Sequence, residues 1–137
     1  MTFLLDTHAL VWWWTDDDRL PEAARRAIAQ ADNTVLVSAA SAWEIATMHR
    51  IGKWPEVAKL IEQFDELLRR SRFAPLGISV VHARRAGSLP GDHRDPFDRM
   101  LVAQAEEQTA ILISGDRVFR HYNVPVMWDG ARDPACP

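Results

Sequence analysis

The sequence has 137 residues, with 16 basic and 19 acidic side chains and a formal net charge of -3. This length and a hydrophobic content of 47% are those of one ordinary globular domain, which needs no disulfide or metal to fold. The single cysteine, Cys136, excludes an internal disulfide and a cysteine-rich zinc site and favours a reducing cytosol. We expect neither a signal peptide nor a membrane span. The mildly acidic net charge argues against nucleic-acid binding, because nucleic-acid-binding proteins usually carry an excess of basic charge.

Short apolar runs predict the strands. The runs at residues 3–5, 35–37 and 111–113 are uniformly apolar, as in strands of a parallel sheet that is covered on both faces. A weaker run at 76–78 has a glycine and a neighbouring proline. The run at 124–128 contains a proline and therefore predicts an edge strand.

Longer segments between these runs predict helices. One helix is expected to begin at Thr7, and others are predicted at 21–31, 38–51, 56–73 and 95–108. The alternation predicts an α/β, three-layer fold with a mostly parallel central sheet flanked by helices. We expect one domain over residues 1–129 and a flexible C-terminal tail over 130–137.

Acidic residues fall at or just beyond the predicted strand ends. Asp6 ends the first strand, Glu44 lies in the helix after the second, Asp95 and Asp98 open the helix before the fourth, and Asp116 follows the fourth. Ligands of parallel α/β sheets bind outside the carboxyl ends of the strands, so these carboxylates could converge on one cleft. Converging carboxylates repel one another, and a hard divalent cation such as magnesium or manganese relieves the repulsion.

Each acid also has a purely structural interpretation. Asp6 and Asp116 could cap the segments that follow them, and Ser41 with Glu44 matches a capping box. Asp95 before a proline is a strong N-cap signal. Only the joint placement of the acids at strand ends points to a site.

The remaining motifs are weak or absent. The five histidines show no zinc-ligand spacing, and the chain has no nucleophile elbow, phosphate loop or dinucleotide fingerprint. His93, close to Asp95, could position a phosphate, but an ordinary loop histidine is the preferred interpretation.

Four segments together resemble the PIN-domain ribonucleases, and in particular the VapC-type toxins of bacterial toxin–antitoxin pairs. They lie at residues 4–10 (LLDTHAL), 41–45 (SAWEI), 95–105 (DPFDRMLVAQA) and 113–116 (ISGD). The likeness runs from about Thr2 to Trp128. It implies a PIN-like fold for nearly the whole chain.

The resemblance also implies an active site. The family's four catalytic and metal-binding acids correspond to Asp6, Glu44, Asp98 and Asp116. Asp98 lies at the start of a predicted helix, and Asp116 follows a predicted strand. Supporting positions around them correspond to Asp95, Ser114 and Thr7. Asp95 would either cap the helix or accept a hydrogen bond in the outer coordination sphere of the metal.

The implied activity is magnesium-dependent endoribonuclease cleavage, with manganese as a possible substitute. A cation that activates water for in-line attack on RNA agrees with the carboxylate interpretation. The alternative is a non-catalytic PIN-like RNA-binding or adaptor module. A receiver-like signalling module would need a lysine after its last strand, and a haloacid dehalogenase-type phosphatase would need a second aspartate where His8 stands.

Basic residues near the predicted acids are candidates for RNA contacts. Fourteen of the 16 basic residues are arginines, which suit bidentate phosphate binding. The candidates are Arg50, Lys53, Arg94, Arg99 and Arg117.

Three adjacent tryptophans, Trp12 to Trp14, predict an interface. Successive helical positions differ by about 100°, so three indoles cannot all face one core. We expect at least one to be exposed or covered by a partner, although a deeply buried first helix would also explain them. The family resemblance implies a homodimer, with this region as its candidate contact, and a cognate antitoxin as a second partner. It also implies a cytoplasmic location in bacteria, with no membrane partner.

Overall fold

A computed structural model describes residues 1–130, and the part of the predicted tail from residue 131 onward lies outside the described residues. The centre of the fold is a five-stranded sheet with the strand order β3-β2-β1-β4-β5. All four neighbouring pairs are parallel. The predicted α/β class with a mostly parallel sheet is confirmed.

The strands lie close to the predicted apolar runs. β1 spans Thr2–Leu5, β2 Thr34–Ser38, β4 Ile111–Ile113 and the edge strand β5 Val126–Met127. β3 spans Ala74–Leu76, two residues earlier than predicted, and pairs with β2 at the other edge. Proline occupies the middle of β3, a position that an edge strand tolerates because its outward N–H has no ladder partner.

Seven α-helices connect the strands within the described residues. The bounds are α1 Thr7–Trp14, α2 Glu22–Ala29, α3 Ala39–Arg50, α4 Ala58–Glu62, α5 Phe64–Ser71, α6 Val80–Ser88 and α7 Pro96–Gln108. Two 3-10 turns, Pro55–Val57 and Arg117–His121, complete them. None of the helices in residues 1–130 has the length and apolar content needed to cross a bilayer.

The predicted helix over 56–73 is wrong as a single helix. It divides into a 3-10 turn, α4 and α5, with the break at Gln63. Its apolar stripe still packs on the core through Leu60, Ile61, Phe64 and Leu68. The apolar stripe therefore predicted the buried face correctly, but it did not predict the break in the helix.

Helix α6 was not predicted from the sequence. Its cap is Ser79, whose side chain accepts from the His82 N–H at 3.0 Å while the His82 ring accepts from the Ser79 N–H at 3.1 Å. This is a capping box in which histidine replaces the usual Glu or Gln. Its β-branched opening, Val80 and Val81, further hides the helix from sequence patterns.

The sheet divides the core into two layers of side chains. Phe3 and Leu5 of β1 pack on one face with α1, α2 and α3, whereas Leu4 packs on the other face with α7. This alternation is the two-residue period of a strand, and it produces the predicted three layers. Fully buried Gln104 of α7 accepts from the Ser38 hydroxyl and so ties α7 to the end of β2.

The predicted interface at the three tryptophans stays a prediction, although each indole also packs in part within its own chain. Trp12 contacts Trp128, Trp13 contacts Phe73, and Trp14 packs edge-on against Phe64. All three are partly buried, and all three pack against the same hydrophobic core. The exposed indole is instead Trp43, at 59% exposure.

Candidate functional site

Asp6 follows β1 directly and caps α1. Its N–H donates to the Ile113 carbonyl at 3.0 Å, and its carboxylate accepts from the Ala9 N–H at 2.7 Å. The side chain is only 6% exposed. Burial raises the pKa of Asp6 from 3.8 to about 6, against the lowering effect of hydrogen bonds from Ser114 and the Ala9 N–H. A buried acid at the carboxyl end of the central strand is an unusual cap.

Glu44 lies in the second turn of α3, facing α1. The helix begins at Ala39 with Ser38 as its cap, so the capping-box interpretation of Ser41 and Glu44 is wrong. The Thr7 hydroxyl donates to Glu44 Oε1 and orients it. Burial raises the pKa of Glu44, the Thr7 hydrogen bond opposes this rise, and the charge of Asp95 adds to it.

Asp98 occupies the first turn of α7, beside the capping residue Asp95. The Asp95 carboxylate accepts from the N–H groups of Phe97 and Asp98 at 2.9 and 3.3 Å, as the N-cap signal predicts. His93 Nε2 lies 2.9 Å from Asp98 Oδ2. Burial raises the pKa of Asp98 to about 6, the His93 hydrogen bond lowers it, and the charges of Asp95 and Glu44 raise it further.

This contact gives His93 a role that the sequence did not distinguish from that of an ordinary loop histidine. The ring holds one oxygen of Asp98 and so limits its rotation. The only sequence signal was its position in the loop just before the cap of α7.

Asp116 is the exposed member of the predicted quartet. It follows β4 and caps a 3-10 turn, accepting from the Val118 N–H at 3.0 Å. Its own N–H donates to the buried hydroxyl of Ser114 at 3.0 Å. Between them, a Cβ on Gly115 would lie 2.6 Å from Trp128, so only glycine allows that indole to pack here.

Electrostatic coupling links the four predicted acids. The charges of Asp116 and Glu44 both raise the pKa of Asp6, and the charge of Glu44 also raises the pKa of Asp98. Glu44 is therefore coupled to two others. As the side chains are placed in residues 1–130, however, no three His, Cys, Asp or Glu groups form a ready metal cage. Each carboxylate is held by a local hydrogen bond instead.

The donor set nevertheless fits a hard divalent cation. All four candidate ligands are carboxylates, which magnesium and manganese prefer over nitrogen or sulfur donors. Burial and mutual repulsion disfavour ionisation of Asp6 and Asp98 in the absence of a cation. A nearby positive charge would reverse both effects, because opposite charges favour the ionised form.

The predicted RNA-contacting residues differ in their surroundings. Arg50, Lys53, Arg94 and Arg117 are exposed. Arg99 has a structural role instead of a free guanidinium, since it donates to the carbonyls of Ala86, His93, Gly87 and Leu89. These bonds fasten α7 to the end of α6 and to the loop between the two helices, and the predicted RNA contact of Arg99 stays a prediction.

Comparison with known proteins identifies the family of the chain. Residues 3–125 match the family model of the PIN domain. Ribonuclease VapC22 of Mycobacterium tuberculosis is 33% identical over 127 residues, which cover 90% of this chain and 94% of that protein. Ribonuclease VapC16 of the same organism is 41% identical over 68 residues, covering 47% and 48% of the two chains. The chain therefore belongs to the PIN-domain family, and within it to the VapC type.

A solved structure shows the same fold. It is VapBC2 from Rickettsia felis bound to a DNA fragment from their promoter, with a TM-score of 0.70 and 19% identity. The alignment covers 94% of this chain and 100% of that one. The likeness at this level of identity concerns the fold alone.

Proposed function

We propose that this protein is a divalent-cation-dependent endoribonuclease that acts as the toxin of a bacterial toxin–antitoxin pair. The observation that carries the proposal is the electrostatic coupling among Asp6, Glu44, Asp98 and Asp116 near the carboxyl ends of the strands. The similarity along 90% of the chain to a protein named as a ribonuclease supports RNA as substrate.

The four carboxylates would hold magnesium or manganese. When bound, such a cation lowers the pKa of a coordinated water and offsets charge on phosphate oxygens. The chain's own residues position these ligands: Thr7 holds Glu44, and His93 holds Asp98. Ser114 supports Asp6 and the backbone of Asp116. Asp95 shapes the start of α7 through its cap.

The surroundings of the acids suit a charged polymer. Arg94 and Arg117 neighbour Asp98 and Asp116 in the sequence and are exposed, so they can contact phosphates beside the cleft. Arg50 follows Glu44 by six residues, about 9 Å along the helix axis. Together with Lys53, it would contact a part of the RNA farther from the cleaved phosphate.

An antitoxin is the proposed protein partner. The similar structure from Rickettsia felis is a VapBC complex, and its fold matches this chain over almost its full length. The homodimer expected from the family resemblance remains a prediction, which light scattering of the purified chain would test.

Cleavage of RNA is the direct test of the proposed function. We expect the purified protein to cut transfer or messenger RNA in magnesium, and to lose that activity in EDTA. Asp116→Ala should lower the rate by on the order of 100-fold or more, because one carboxylate of the proposed cation site is removed. RNA binding that survives EDTA without any cleavage would favour the adaptor alternative.

The adjacent acids Asp95 and Asp98 allow a matched comparison. Asp98→Asn should reduce cleavage by on the order of 100-fold, since it removes a proposed cation ligand. Asp95→Asn should stay within a few-fold of the wild type, because asparagine caps a helix about as well as aspartate. Circular dichroism would verify both folds, and equal losses in the two variants would contradict the assignment of Asp98 as the ligand.

A further inference from the structure

A cavity of about 360 Å³ opens beside the acidic residues. It is lined by Asp6, His8, Trp12, Arg19, Asp116 and Trp128. Asp6 and Asp116 follow β1 and β4, and Trp128 follows β5. Because Asp6 and Asp116 are also proposed cation ligands, the cavity adjoins the proposed cation site at the carboxyl ends of these neighbouring strands.

Aromatic rings form one wall of the cavity. The rings of Trp12 and Trp128 lie 5.8 Å apart between centroids, and the exposed His8 ring lies 5.5 Å from Trp12. Both tryptophans are only partly buried. The close approach of Trp128 to Gly115 seats the indole directly beside the Asp116 loop.

The charges around the cavity are mixed. Asp6 and Asp116 are acidic, whereas the Arg19 guanidinium lies 4.7 Å from the centroid of the Trp12 ring. Arg19 pairs with Asp17 at 2.8 Å, and its side chain remains 68% exposed. A flat, uncharged ring can enter this space without the repulsion that a phosphate would meet from the two carboxylates.

We infer that this cavity is a nucleobase subsite of the proposed ribonuclease site. It takes the base of a nucleotide next to the phosphate held at the acids, stacked against the indole of Trp128. The inference rests on the proposed function for its substrate class. A base-paired, stacked nucleotide cannot enter the cavity, so the base that occupies it has to be unpaired and unstacked.

Binding of RNA with and without bases tests the subsite. The probes are an end-labelled twelve-nucleotide single-stranded RNA of mixed sequence and an abasic ribose-phosphate chain of the same length. Their dissociation constants are measured by fluorescence anisotropy in calcium, which occupies carboxylate sites. The wild type should prefer the base-bearing RNA by on the order of tenfold or more, the usual effect of one base–aromatic stack.

Variants at two tryptophans locate the preference. Trp128→Leu keeps an apolar side chain but removes the ring, and should lose most of the preference, whereas Trp128→Phe should keep much of it. Trp43→Ala is the matched control, because Trp43 is an exposed indole outside the cavity. It should keep the wild-type ratio. Thermal unfolding would check that each variant is folded.

The outcomes separate this inference from the proposed function. If the wild type binds both probes equally, the subsite is wrong even where RNA is cleaved. If Trp128→Leu keeps the preference, or Trp43→Ala loses it, the base lies elsewhere, the cavity serves another occupant such as a peptide, and the inference is again overturned. A protein that cuts no RNA but shows the Trp128-dependent preference would retain the subsite and overturn the ribonuclease proposal.

Discussion

Asp6→Asn should make the protein more stable and inactive at the same time. Asparagine can still accept the Ala9 N–H that the aspartate caps, but it carries no buried charge. In EDTA at pH 7.5 we expect the free energy of unfolding to rise by up to about 3 kcal/mol, the equivalent of a pKa raised by about two units. RNA cleavage should fall by on the order of 100-fold or more.

The sign of the pH dependence follows from the raised pKa. The unfolded chain releases the Asp6 proton near pH 4 and the folded chain only near pH 6, so the folded state holds more protons between these values. Wild-type stability contributed by this group therefore falls as the pH rises from 4 to 6. Asp98, whose pKa is also raised to about 6, contributes in the same direction, so Asp6→Asn should keep part of the slope.

Urea unfolding at pH 4.5 and 7.5 would measure this effect as the difference between wild type and variant. Asp32→Asn is the control, because Asp32 is an exposed acid in the loop before β2, away from the carboxyl ends of the strands. It should change neither stability nor cleavage appreciably. A wild type and an Asp6→Asn variant with parallel pH profiles would show that Asp6 does not carry the buried charge.

Divalent cations should stabilise the folded protein strongly. A ligand that binds only the folded state at one hundred times its dissociation constant adds about 2.7 kcal/mol. For a chain of this size we expect magnesium or manganese to raise Tm by roughly 5–10 °C at pH 7.5. At pH 5 the rise should shrink, because protons compete with the cation for Asp6 and Asp98.

Glu44→Gln isolates the contribution of the carboxylate that is coupled to two others. Glutamine can still accept from the Thr7 hydroxyl, so the local hydrogen bond survives while the charge is lost. The cation-induced rise in Tm should be largely lost in this variant and retained in Asp32→Asn. Differential scanning fluorimetry across a cation titration would measure both. An equal rise in Glu44→Gln and the wild type would exclude Glu44 as a ligand.

Much of the site's placement was predictable because its signals are local. Asp6, Asp95 and Asp116 each combine a strand end or a helix start with a capping side chain, and the structure places all three as caps. The short apolar runs gave strand positions within about two residues because a buried parallel strand has no polar face. The cap of α6 escaped prediction because its histidine does not match the usual pattern.

The contacts between distant residues needed the tertiary structure. His93 and Asp98 are close in sequence, but Trp12 and Trp128 meet only because β1, β4 and β5 are neighbours. The expectation that three adjacent indoles cannot share one core is wrong, because all three pack on the same hydrophobic core. Trp12 reaches Trp128 beyond β5, whereas Trp13 and Trp14 reach Phe73 and Phe64 on the side of α5. Arg99 likewise donates to carbonyls at the end of α6 and in the loop before α7, and this meeting of segments cannot be read from the sequence around Arg99.

The sequence by itself determined the α/β class, the family resemblance and the acids at the strand ends. The hydrophobic period and the capping residues are patterns of a few neighbouring residues, so they can be recognised in a single sequence. The tertiary structure alone decided the strand order, the burial that raises the pKa of Asp6 and the cavity beside it. Burial, electrostatic coupling and cavity shape depend on which segments meet in space, and local sequence patterns do not specify those meetings.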